Sequence, residues 1–280
     1  MPESTQPLQA WVGRTEAHDD YLSAYPVTAL AATLDRPISL ESVPPLWHWA
    51  YFLPVAPMAE VGPDGHAKRG GFLPPISLPR RMWAGGRLTF HAPLAVGGTA
   101  TRTSTIETVH EKAGRTGRLV FVTVRHRIAV SGQMVLDEEQ DIVYRDPPAR
   151  GEAHKTPEVA PTGESWSRTV NADPVLLFRY SALTFNGHRI HYDYPYVTKE
   201  EGYPDLIVHG PLIATLLADL VHRQRPDAVL NRFEFRAVRP TFANSVFTVC
   251  GAPSSDGKTV ELWAKDHDGY LTMRATATLA

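Results

Sequence analysis

Cysteine is nearly absent from this chain: of 280 residues, only Cys250 carries a thiol. That excludes an internal disulfide framework and any zinc site built on cysteines. Cys250 closes the apolar run that begins at Val246 and is expected as a buried strand residue, not a nucleophile. Charge of one sign is equally scarce. Lysine and arginine total 28 against 30 aspartates and glutamates, a net charge of −2. No basic field invites nucleic acid, and no cationic run suits an anionic membrane surface. No apolar stretch approaches the ~18 residues of a membrane span, and the polar, acidic N-terminus has no signal-peptide core, so a soluble cytoplasmic protein is expected. Two catalytic patterns are missing too. There is no glycine-rich phosphate loop of either common kind, and neither Ser181 nor Thr184 sits in a Gly-x-Ser-x-Gly setting.

What is present is an order of elements that occurs twice. Short helices are predicted over 27–35 and 174–183, near the start of each half. Each half ends in long strands rich in Val, Ile, Thr and Phe: 86–92, 98–112, 116–131 and 133–146, then 230–241, 245–253, 258–267 and 270–279. Between them, Pro147-Pro148-Ala149-Arg150-Gly151-Glu152 opens a stretch of low apolar content reaching Gly163. The halves are therefore set at 1–147 and 166–280, joined by a linker over 148–165. In the second half Gly210-Pro211 leads into an apolar run, the start of one long helix over 211–224 with proline at its first position. The corresponding region of the first half, Pro44 to Leu78, is crowded with proline and glycine, so its helix is expected to be shortened or lost. The inferred class is α+β: a long antiparallel sheet wrapped on a helix, made twice, with the central helix degraded in the N-terminal half.

Chemistry concentrates between Tyr180 and Leu220, which holds His188, His191 and His209 among small and apolar residues. Asn186-Gly187-His188-Arg189 reads as a tight polar loop. His209-Gly210-Pro211 opens the long helix, whose buried N-terminus offers free N–H groups and a positive dipole end. An imidazole beside such a terminus suits a reaction that passes through an oxyanion. His209 itself is expected to pack or to cap the helix start. A metal on the three histidines is not expected, because no helix sets them on one face and no carboxylate or cysteine completes the set.

The run Tyr180-Ser-Ala-Leu-Thr-Phe-Asn-Gly-His-Arg-Ile-His-Tyr-Asp193, with Ile207-Val-His-Gly-Pro211 after it, resembles the motif of the MaoC-like, (R)-specific enoyl-thioester hydratases. It is most similar to the branch called hydroxyacyl-thioester dehydratase type 2, which includes mesaconyl-C4-CoA (3-methylfumaryl-CoA) hydratases. Pro79-Arg80-Arg81-Met82-Trp83-Ala84-Gly85-Gly86 is similar to that branch's N-terminal segment, so the resemblance spans most of the chain. It implies a double hotdog fold and a lyase that needs no metal or redox cofactor. It places the catalytic histidine on His191 and the family's catalytic aspartate on Asn186, an amide that cannot move a proton at neutral pH.

Hydration of an α,β-unsaturated thioester needs a base for water, a donor for the enolate oxygen and a proton for Cα. His191 is assigned to water, Asn186 to the water's other side and the Gly210 N–H to the thioester oxygen. His188 or Asp193 is the fallback second titratable group. His188, Arg189, Asp193, Arg81, Arg87 and Trp83 are the candidate substrate contacts, with an arginine required if the acyl group ends in a carboxylate. Trp47-His48-Trp49 is read first as packing and second as a pocket wall. Three readings stay open: a hydratase acting on a coenzyme A or acyl-carrier-protein thioester, a hotdog thioesterase, and a non-catalytic acyl-binding subunit. The paired halves supply the interface that single hotdogs make by dimerising, so a monomer and a homodimer are both compatible.

Overall fold

The computed structural model describes residues 7–37, 39–114, 117–146 and 156–280. Its N-terminal half runs β1 (Thr15–Tyr21), α1 (Ala24–Leu34), β2 (Ser42–Val43), β3 (Arg80–Phe90), β4 (Leu94–Ala95), β5 (Thr99–Gly114), β6 (Gly117–Val130) and β7 (Gln133–Arg145). The C-terminal half runs β8 (Trp166–Asn171), α2 (Pro174–Leu183), α3 (Tyr194–Lys199), α4 (Gly210–Gln224), β9 (Leu230–Ala237), β10 (Val246–Pro253), β11 (Thr259–Lys265) and β12 (Leu271–Leu279). The long strands follow from alternation. In β6, Val120, Val122 and Val124 are buried while the residues between them are less so.

Ten strands form one antiparallel sheet in the order β1-β5-β6-β7-β3-β9-β12-β11-β10-β8. Read outward from its middle, the two sides are the same. Each half lays its first strand at the outer edge, its next long strand at the seam and its last three in between. The seam pairs β3 with β9, Gly85 opposite Arg236 and Gly86 opposite Phe235. A Cβ on Gly86 would stand 2.8 Å from the Phe235 ring, so that glycine lets the seam close.

The helices break the symmetry. Helix α4 is buried at every position from Leu212 to Val221, whereas the first half has only two short 3-10 turns, Trp47–Ala50 and Met58–Glu60, among its described residues where a central helix was expected to be degraded. The buried Asp219 of α4 is ion-paired with Arg223 at 2.5 Å, Arg168 at 3.2 Å and Arg36 at 3.5 Å. Arg168 and Arg223 also donate to the Leu34 carbonyl, which ties α4 to the end of α1. Such a carboxylate left without partners would cost several kcal/mol. Cys250 is buried in β10, as its apolar run required. The edge strands β1 and β8 and the short α3 were not anticipated. Pro147 to Glu152 lies outside the described residues. Among the described residues, no helix is long and apolar enough to cross a membrane.

Candidate active site

Helix α2 delivers the site loop. It begins where the Asp173 side chain accepts the Leu176 N–H at 2.8 Å, and it ends as the Asn186 N–H returns to the Ser181 carbonyl at 2.8 Å. Between them Phe185 is left-handed at φ 49°, an uncommon state for a bulky residue that reverses the chain into Asn186. The Asn186 Oδ1 accepts the His188 N–H at 3.0 Å, which leaves the amide NH₂ as the side free to donate. A 3-10 turn, Arg189–His191, then carries His191 into the interior.

His191 is buried, with Nδ1 2.7 Å from the Ile207 carbonyl oxygen. A carbonyl only accepts, so Nδ1 holds the proton and Nε2 keeps its lone pair. The ring stacks on His209 at 3.7 Å and 18°, and His209 is held in turn by Ser181, Nε2 to Oγ at 2.8 Å. His209 occupies the α4 N-cap position without a side-chain cap bond, so it packs. Burial pushes His191 down to about 4, opposed by the Ile207 hydrogen bond and assisted by nearby His66. Burial, then the neighbouring His66 and His191, takes His188 to about 2. His209 is driven well below the usual imidazole value by burial, then by the neighbouring His191 and His188. All three rings are therefore neutral at neutral pH.

His191, His188, Asn186 and Gly210 line one cavity of about 1980 Å³. Gly210 is the first residue of α4, and Pro211 after it has no N–H to offer. From the N-terminal half, Arg81, Trp83 and Arg87 join the lining. Trp83 lies edge-on to Trp49 at 4.9 Å and to Phe235 at 5.7 Å, and its Nε1 donates to the Gly85 carbonyl at 2.9 Å, making it a fixed wall. Beside that wall, and also lining the cavity, a polar group is hydrogen-bonded around the buried Glu138. Glu138 accepts from His48 at 2.9 Å, Trp49 at 2.9 Å and Gln140 at 2.8 Å. Burial works to raise Glu138, but the charge and hydrogen bond of His48 outweigh it and hold the carboxyl at about 2.

Three of the expected substrate contacts are placed otherwise. Arg189 and Asp193 form an ion pair one turn apart at 2.8 Å, outside the cavity lining. Arg189 also reaches the Pro63 carbonyl, and Asp193 caps α3 through the Tyr196 N–H at 3.1 Å. They staple the loop because closeness in sequence does not decide which way a side chain turns. Arg87 faces the cavity, but its guanidinium is taken up by Glu139 at 2.7 Å and Asp141 at 2.6 Å, which raise its pKa further. Among the described residues, Arg81 has no carboxylate partner. It faces the Tyr144 hydroxyl, His66 and His188.

Sequence reasoning missed a contribution from the first half. Val61 bridges Ala67 to close a small hairpin, with Asp64, Gly65 and His66 at its end. Asp64 accepts from His66 twice, at 3.1 Å from Nδ1 and at 3.1 Å from the backbone N–H. The His66 ring lies tilted against His188, 41° between planes and 4.0 Å between ring centres, and His188 stands edge-on to His191 at 5.5 Å. Ligand atoms of Asp64, His66 and His188 lie within 4.8 Å of one another. Both Asp64 oxygens accept from His66, which fixes the orientation of that imidazole. Pro63-Asp64-Gly65 is a turn signature visible in the sequence; nothing local says what the turn faces.

A family model described as hydroxyacyl-thioester dehydratase type 2 matches residues 46–243. The chain is 46% identical over 282 residues to the mesaconyl-C(4)-CoA hydratase of Chloroflexus aurantiacus, covering 99% of each. It is 29% identical over 265 residues to the mitochondrial hydroxyacyl-thioester dehydratase type 2 of Schizosaccharomyces pombe, covering 82% of this chain and 88% of that one. Among solved structures it is similar to HtdX from Mycobacterium tuberculosis, with a TM-score of 0.70 at 20% identity over 94% of this chain and 98% of that one. A MaoC-like dehydratase from Phytophthora capsici gives 0.69 at 13% identity, over 96% of each chain. These likenesses support the hotdog class of the fold.

Proposed function

Because the chain belongs to the hydroxyacyl-thioester dehydratase type 2 family, we propose how this hydratase/dehydratase works and which thioester it takes. It adds water reversibly across the α,β double bond of an acyl-CoA. The observation that carries the mechanism is a histidine of fixed tautomer sharing one cavity with a helix N-terminus. His191 Nε2 removes a proton from water as the oxygen attacks Cβ. An Asn186 N–H holds the water oxygen, and the enolate oxygen accepts from the Gly210 N–H. One such preorganised donor is worth about 3 kcal/mol to the barrier.

The acyl group is short and dicarboxylic. In a mesaconyl-C4 thioester, Cβ carries a carboxylate and a methyl, so water attacks beside a negative charge. Arg81 is the lining cation without a carboxylate of its own that faces His188 and His66, and it is assigned to that group. Trp83 and Trp49 pack the apolar side. The cavity exceeds the roughly 300–1,000 Å³ of most small-molecule sites, as a substrate with a long carrier arm requires.

Loss of the conjugated enoyl-thioester absorbance, followed on mesaconyl-C4-CoA, crotonyl-CoA and a medium-chain enoyl-CoA, tests this reading. Fastest turnover of the first, abolished by His191→Ala, is the expected result. Release of free coenzyme A without hydration would replace the reading by a thioesterase. Binding without turnover of any of them would replace it by an acyl-binding subunit.

A further inference from the structure

Hydration moves one proton from water to Cα, and the mechanism above leaves its carrier incomplete. Asn186 cannot hold a proton, and the buried His191 faces no carboxylate that would steady its cation. A carboxylate does stand at the far end of the same row of rings. His66, His188 and His191 line the cavity in sequence, 4.0 Å and 5.5 Å between successive ring centres, with Asp64 behind His66 at 3.1 Å.

The hairpin is seated for a fixed task. The Arg189 N–H donates to the Asp64 carbonyl at 2.9 Å. Gly65 has φ +89°, and a Cβ there would lie 1.8 Å from the Gly187 carbonyl oxygen, so no other residue allows the two loops to meet this closely. The second Asp64 contact, from the His66 N–H, fixes the side chain, and Nδ1 donating to Oδ2 leaves the His66 Nε2 lone pair free.

We propose that His66, oriented by Asp64, is a second proton-transfer residue of the hydratase site, contributed across the molecule by the N-terminal half. The proposal rests on the hydratase reading. In the hydration direction one water O–H bond breaks, its proton goes to His191 Nε2 and the oxygen lone pair forms the bond to Cβ. The π electrons move to the thioester oxygen. The proton passes by way of His188 to His66, where Asp64 faces the cation. As the enolate collapses, His66 returns that proton to Cα, forming the C–H bond. One proton enters and one leaves, and the three rings end neutral as they began. The charged and titratable groups facing His66 are Asp64 on its own hairpin, His188 and His191 on the opposing loop, Arg81 on β3 and Arg69 on the following loop.

The test compares wild type with His66→Ala, His66→Gln and Asp64→Asn on mesaconyl-C4-CoA and crotonyl-CoA, with kcat, KM and pH profile for each. The expected result is a loss of kcat of about 10²–10⁴-fold in both His66 variants with KM nearly unchanged, partly restored to His66→Ala by added imidazole. Asp64→Asn should move the acid limb of the profile to lower pH, because the carboxylate that favours the cation is gone. Near-wild-type turnover by folded His66→Gln would overturn the proposal. So would a loss that imidazole does not restore with the pH profile unmoved, which is the signature of mere packing. Activity removed by a chelator and regained with zinc would overturn it in favour of a metal site. If wild type hydrates no enoyl thioester, it is the hydratase reading that fails; if wild type hydrates and only the His66 result is negative, the failure belongs to this proposal alone.

Discussion

The two halves share one strand order and differ in what fills the space between the first strand and the rest. In the C-terminal half that space holds α4, buried at every position from Leu212 to Val221, with its N-terminus at the cavity. In the N-terminal half it holds two 3-10 turns, a hydrogen-bonded polar cluster around Glu138 and a hairpin that leaves its own half to press on the other. The sheet therefore sets where a site can be. The inserted segments set His191 and the α4 N-terminus on one side of the cavity and Arg81, Trp83 and the His66 hairpin on the other, which is the division of roles proposed above. Position in a duplicated fold is inherited; chemistry is not.

Four tests would break or sharpen that division. Replacing His191 with alanine should lower kcat by about 10²–10⁴-fold or more, read by enoyl-thioester absorbance, while the melting temperature stays near wild type. The mirror change in the first half, Glu138→Ala, should do the opposite. Leaving His48 and Trp49 buried without their acceptor should cost about 3–5 kcal/mol in denaturant unfolding, with turnover per folded molecule retained. A large primary loss of kcat there, with stability intact, would mean that the first half carries chemistry beyond its hairpin. Arg81→Met should raise KM for mesaconyl-C4-CoA by roughly 30-fold, near 2 kcal/mol for a lost charge-assisted pair, and leave crotonyl-CoA unchanged. Equal effects on both substrates would remove Arg81 from the carboxylate.

The smallest effect compares one histidine from each half, the partly buried His126 and the buried His191. Burial holds His126 near 4, against the pull of Glu138, and holds His191 near 4 as well, below an unfolded value of ~6.5. Between those values the unfolded chain binds protons that the native chain refuses. Stability is then full above about pH 6.5 and falls as pH drops toward 4, by up to about 1.4 kcal/mol per pH unit for each ring. Melts across that window on wild type, His126→Gln and His191→Gln should show each variant losing a similar share of the slope.

Much of this was readable in the residues. The long strands announce themselves by β-branched alternation between glycine turns, and α4 by Gly210-Pro211 ahead of an apolar run. Strand β1 did not, because Thr15-Glu16-Ala17-His18-Asp19-Asp20-Tyr21 is an exposed edge whose strand state comes from pairing with β5 and not from its own composition. His191 and Asn186 could be found by their motif. That Arg189 and Asp193 turn toward each other is shown only by the folded loop. Asp64 and His66 could not be found at all by local reading, since their meaning is set by Gly187 and His188, far along the chain.

The anchor of His191 has a consequence of its own. The ring is aimed by a main-chain carbonyl, and Ile207 is itself held by the Ile190 carbonyl at 3.0 Å and by a bridge to Phe242. A carbonyl has no protonation state to lose, so acid can fill Nε2 without releasing the ring, whereas Asp64 would let go of His66 once protonated. Nor does substitution at position 207 delete that oxygen, since every amino acid brings one. Half of the orientation of the proposed catalytic pair is thus written in the backbone, where scanning mutagenesis would pass over it without a signal.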